Sequence, residues 1–136
     1  MRMDNEQYFR SCVAKERHLA QLLGHSNIEE CYESAGTLWD KAQALPQWTR
    51  DWAACEPLLT QYQLVLSYGT AADSAELVTV TVGDTSVALV EHPSRERAVM
   101  FAIVKEVIRL LEHHRHHHLS AAMAESAAPL QPHPYK

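Results

Sequence analysis

The chain has 136 residues, 46% hydrophobic and 21% charged, with a formal net charge of −5. That is the length and composition of one globular domain with enough apolar residues for a core without disulfide staples. The acidic balance makes the chain a poor candidate for general nucleic-acid or anionic-membrane binding, which needs clustered Lys and Arg.

The N-terminus, MRMDNEQYFR, is polar and lacks the apolar core of a signal peptide. The longest apolar run, Ala98–Val104, is too short to span a bilayer. Three cysteines, Cys12, Cys31 and Cys55, occur without a CxxC pair. Together these suit a reducing compartment, the cytoplasm (the host's, if the chain is phage-encoded), and give no zinc ribbon.

Residues 4–23 read as an amphipathic helix. Asp4 is placed to cap it, apolar pairs such as Tyr8/Phe9 and Cys12/Val13 recur at helical spacing, and Gly24 is a natural stop. Ser26-Asn27-Ile28-Glu29 has capping-box form, so a second helix is expected through Cys31 and Tyr32, with Gly36 as a weak point. Leu38, Trp39, Ala42 and Leu45 extend the helical reading to Pro46. Thr49 or Asp51 then caps a third helical stretch, Trp52–Gln61, in which Pro57 implies a late start or a bend.

A first strand is expected over Gln61–Tyr68, followed by a small-residue loop, Gly69–Ser74. Val78 to Val82 alternates Val and Thr, which puts Val78, Val80 and Val82 on one face. Gly83-Asp84 makes a two-residue hairpin turn into a return strand, Thr85–Val90. Both faces of that strand are apolar, which suits a central position or two-sided cover. His92-Pro93-Ser94 then opens a long helix. Ser94 is its cap, Val99, Ile103, Val107 and Leu110 form its core stripe, and Lys105, Arg109 and Glu112 its polar stripe.

The expected fold class is α+β: N-terminal helices, a three-stranded antiparallel sheet, and a long C-terminal helix packed on the sheet. The chain divides as one domain, 1–118, with a helical region 1–47 and a helix–sheet–helix unit 48–112. Residues 119–136, rich in Ala, Pro and Ser, read as a flexible extension.

The segment WTRDWAACEPLLTQYQLVLSY (48–68), the strands after it, and HPSRERAVMFAIVKEVI (92–108) together resemble small phage and prophage proteins of the ABA sandwich-like type. Trp52, Ala53, Pro57, Leu58 and Leu59, then Ala98, Met100 and Ala102, carry the match over about half the chain. The resemblance implies phage origin and a helix–sheet–helix architecture, and it implies no reaction. The N-terminal helical region and the histidine-rich end lie outside that pattern.

No catalytic motif is present, so the leading expectation is a non-enzymatic protein that acts by binding a host protein or complex. That partner could itself bind nucleic acid. One version is an inhibitor of a host defence complex such as a CRISPR effector, met through an acidic and Trp-bearing surface: Glu29, Glu30, Glu33, Asp40, Trp48, Trp52 and Glu56. The competing reading of the carboxylates is an ordinary solvated face, and of Trp39, Trp48 and Trp52 a core role.

The alternative is a metal-binding protein. His113/His117 and His114/His118 are i, i+4 pairs if the last helix continues, the spacing that chelates zinc or nickel from one face. No cofactor is otherwise expected, beyond adventitious metal at that cluster. A solvated helix end explains the same histidines through the helix dipole. A structural homodimer using apolar surface on the last helix is a further possibility. An enzyme of unrecognised type would require a concave pocket with convergent polar groups. Glu91-His92-Pro93-Ser94 brings a carboxylate, an imidazole and a hydroxyl together, but capping explains Ser94. Neighbouring residues of a strand also point apart, so Glu91 and His92 form no relay by spacing alone. Cys12, Cys31 and Cys55 read as buried apolar residues rather than nucleophiles.

Overall fold

A computed structural model describes residues 4–30 and 36–126, with side chains described up to residue 114. The elements run α1 (Asn5–Leu22), β1 (Ile28–Glu30), β2 (Leu38–Asp40), β3 (Gln43–Ala44), α2 (Trp52–Gln61), β4 (Leu66–Thr70), β5 (Leu77–Val82), β6 (Thr85–Ala88), a 3-10 turn (Leu89–Glu91) and α3 (Arg95–Ser126). The chain is α+β, as expected, but it holds two three-stranded antiparallel sheets, ordered β1-β2-β3 and β4-β5-β6.

Local signals place the helix starts. The Asp4 side chain accepts from Gln7 N at 2.8 Å, and Gln7 Oε1 accepts from Asp4 N, a reciprocal capping box. The Asp51 carboxylate accepts from Ala53 N, and Ser94 Oγ from Arg97 N. α2 begins at Trp52, so Pro57 causes no late start. Pro57 is exposed, which lets water satisfy the carbonyl that loses its helical donor.

The region between α1 and α2 corrects the sequence reading. No helix starts at Ser26: Ile28–Glu30 pairs antiparallel with Leu38–Asp40, with Glu29 opposite Trp39. Leu38, Trp39, Ala42 and Leu45 are not one helix face either. Lys41, at φ 59°, turns the chain so that β3 folds back on β2. Helical spacing was met by two short strands and a tight turn. Gly36 is a φ +84° position packed against the Phe9 ring, where a Cβ would collide with Phe9.

The second sheet is the meander expected, with shifted bounds. α2 ends at Gln61 with Tyr62 as its C-cap, Gln63 takes φ 53°, and β4 starts only at Leu66 and runs through Thr70. The register puts Leu66 opposite Val82, Tyr68 opposite Val80, and Val80 opposite Val87. Leu66, Tyr68, Val80, Val82, Thr85 and Val87 therefore share the inner face. Gly83, at φ 59° in the first turn position with no positive φ at Asp84, makes a type II′ turn. β6 is an edge strand and β5 the central one, which corrects the expectation of a central return strand. The chain leaves the sheet at Leu89, and Val90 is 77% exposed.

α3 lies across β5 and β6 and packs on α1 and α2. Its buried residues Ala98, Val99, Ala102, Ile103, Val107 and Ile108 form the core with Val80, Val82, Leu19, Leu38, Trp48 and Leu58. α3 runs past residue 118 to Ser126, and residues 127–136 lie outside the described part.

Two ionic locks tie the layers. Glu16, on α1, is 1% exposed and accepts from Thr49 N, Thr49 Oγ1 and the Arg50 guanidinium. Glu106, on α3, is 2% exposed and accepts from Thr85 Oγ1 at 2.8 Å and from Arg109 at 2.8 and 2.9 Å. Each fastens a helix to a neighbouring turn by bonds that satisfy a desolvated carboxylate.

Candidate functional site

Among the described residues α3 packs on β5 and β6 and leaves the inner face of β4 partly open. Leu66 and Tyr68 are inward residues by register, yet Tyr68 is 40% exposed. α2 and the first turns of α3 stand opposite and leave a groove of about 690 Å³ lined by Trp52, Leu59, Leu66, Tyr68, Arg95, Glu96 and Val99. Its lining is apolar and aromatic except for Arg95 and Glu96, the mix common in binding clefts. The Arg95 guanidinium carbon lies 5.8 Å from the Tyr68 ring centroid. Among the described residues neither Arg95 nor Glu96 makes an ion pair.

The strand beside the groove is an open edge. Among the described residues β4 pairs with β5 only, and the strand contains no Pro and no charge. Natural edges are normally blunted by such residues. A register shift at Gly69/Thr70 disturbs only the far end. Val65, just before the strand, is 74% exposed.

The residues singled out in the sequence are scattered. Trp52 lines the groove, and Trp48 is buried in the core, where it is no surface anchor. The two share no helix face, because Trp48 sits in the turn before α2. Trp39 lies on β2, and its buried Nε1 has no hydrogen-bond acceptor among the described residues. Glu30 is spent on Arg10, at 2.8 Å, and Asp40 on His25, at 2.7 Å. The Arg10 bond holds the Glu30 carboxyl below its ordinary pKa. Glu29 and Glu56 are exposed, and Glu33 lies outside the described residues. The carboxylates therefore do not make one free acidic face.

His113 and His114 are exposed on α3, whereas the side chains of His117 and His118 lie outside the described part. Among the described residues no three His, Cys, Asp or Glu side chains stand close enough to hold a metal. Among the described residues the exposed large apolar side chains are Leu23, Val65, Tyr68 and Val90, none of them on α3. Cys12 and Cys55 are fully buried, and burial pushes the Cys55 thiol up to about 12. No helix among the described residues is long and apolar enough to cross a membrane.

His92 is buried, with Nδ1 2.6 Å from Tyr8 Oη. It lines a second cavity, together with Tyr8, Glu91, Phe101 and Lys105. Ser94 is occupied in capping and does not line that cavity.

Neither the groove nor the second cavity was legible as a site in the sequence. The signal for the groove was Val65-Leu66-Ser67-Tyr68, an uncharged strand whose inward residues exceed what one helix covers. Compared with known proteins, the chain matches no family model, no curated protein and no solved structure.

Proposed function

We propose that this protein acts by binding another protein, taking an extended segment of its partner along the open edge of β4. The observation that carries the reading is the uncharged free edge beside an apolar groove lined by Trp52, Leu59, Leu66 and Tyr68. A strand added there continues the sheet by main-chain hydrogen bonds, and every second side chain enters the groove. The occupant is thus a segment with alternating apolar residues. Arg95 and Glu96 on the rim select the charges that flank it. The resemblance to phage proteins makes a host complex, a CRISPR effector for example, the first partner to try. The acidic surface drops out of the reading, because Glu30 and Asp40 are paired within the chain.

The test is capture from host lysate with wild type and the Tyr68→Ala and Val65→Lys variants, followed by amide exchange on the complex. Wild type is expected to hold a stoichiometric partner at least tenfold tighter than Tyr68→Ala, with new protection over 66–70. A partner held equally by all three proteins, protection confined to other elements, or no partner at all would each overturn the reading.

A further inference from the structure

On the β6 side of α3 lies a chamber of about 380 Å³, independent of the groove. Its aromatic wall is built from Tyr8, His92 and Phe101. The His92 and Phe101 centroids are 5.0 Å apart, and Tyr8 meets the His92 ring edge-on at 5.4 Å. The 2.6 Å bond between Tyr8 Oη and His92 Nδ1 fixes both rings, and Val87 adds an aliphatic patch.

Two charged side chains line the same chamber, Lys105 from α3 and Glu91 from the 3-10 turn. Among the described residues neither makes an ion pair. Both act on His92, Glu91 favouring its protonation and Lys105 opposing it. They are therefore near one another's field without being joined. An unpaired ammonium, an unpaired carboxylate and an aromatic wall around one small volume complement a molecule with the opposite charges and an apolar body.

We infer that this chamber binds a small zwitterion of the free amino acid type, its carboxylate on Lys105, its ammonium on Glu91 and its side chain against Phe101 and Val87. The volume suits an aliphatic or single-ring side chain. The aromatic wall adds attraction for the ammonium. A single charged group would leave one of the two protein charges unmatched, so a ligand with both is selected over its one-charged analogues.

Calorimetry on the full chain tests this with L-leucine and L-phenylalanine, the matching 2-oxo acids, and the matching amines. Lys105→Gln and Glu91→Gln are the variants. Both positions lie at the surface of the chamber, and a thermal melt confirms that the variants remain folded. The expected result is binding of an amino acid at least tenfold tighter than of its oxo acid or amine. Glu91→Gln should erase the preference over the oxo acid, and Lys105→Gln the preference over the amine. Absence of amino acid binding at millimolar concentration would overturn the inference. So would equal binding of all three ligand types, or affinities unchanged in both variants.

Discussion

Arg50 Nη2 stands 2.6 Å from Oε1 of Glu16, and Nε of the same guanidinium stands 3.0 Å from Oε2. This two-pronged pair, with Thr49 N and Oγ1 on the same carboxylate, is what fixes α1 against the turn that leads into α2. Arg50 also donates to the Gly36 carbonyl and lies 5.3 Å from the Phe9 ring centroid, so one side chain gathers three parts of the N-terminal half.

Removing the Arg50 guanidinium leaves the buried Glu16 carboxylate with Thr49 as its donor. Arg50→Ala is therefore expected to cost about 3–5 kcal/mol in urea denaturation. Replacing both, Glu16→Met with Arg50→Met, should cost clearly less than the two single losses added together, because no orphaned charge remains. Additive losses would mean that the two residues stabilise the fold separately.

Glu106 sets an acid limit on stability. The Arg109 hydrogen bond, helped by Thr85 and the Asp84 backbone, holds its carboxyl below the ordinary value of 4.5. A carboxyl depressed in the folded state contributes stability that is fully present above the unfolded value. That contribution is lost as pH falls through the folded value. Urea midpoints should therefore drop from about pH 5 downward. Glu106→Gln should be less stable at pH 7, by about 2–3 kcal/mol, and show a flatter acid slope. Gly83→Ala should act at the same place: its Cβ would meet the Glu106 carboxylate, and its φ of +59° strains any L side chain. A loss of about 2 kcal/mol is expected.

The Tyr8–His92 pair gives a second pH signature, at milder acidity. Burial lowers the His92 pKa from its ordinary 6.5, and Lys105 and Arg97 lower it further, against the pull of Glu91. Burial likewise raises the Tyr8 phenol, so both groups are neutral at pH 7. The unfolded chain takes up the histidine proton first. Stability contributed by neutral His92 is thus complete above about 6.5 and falls as pH drops from there toward the folded value. His92→Gln should remove that slope. Tyr8→Phe should cost about 1–2 kcal/mol through the unsatisfied imidazole nitrogen. Proton NMR of the His92 ring reads the pKa directly, and a value at or above 6.5 would contradict the assignment.

Much of the C-terminal half was readable before any coordinates. The Val-Thr alternation of β5, Gly83-Asp84 and the Ser94 cap act within a few residues, and the structure reproduces each. Asp4 and Asp51 did the same for α1 and α2. The first sheet was misread because its strands are three residues or fewer. So short a strand has no period of its own to detect. Ser26-x-x-Glu29 carries a helix signal that pairing of Glu30 with Leu38 overrides.

What the sequence by itself determined is therefore the local grammar of this protein: where three helices begin, which residues of β5 face the core, and the α+β class. Only the tertiary structure decided which carboxylates are buried, since Glu16 meets Arg50 from 34 positions away. The same holds for which histidine is ringed by aromatics, as Tyr8 reaches His92 across 84 positions. It also decided that α3 packs on two strands of the second sheet, β5 and β6. Those outcomes depend on how layers meet, and burial is a property of the assembled surface rather than of any stretch of chain.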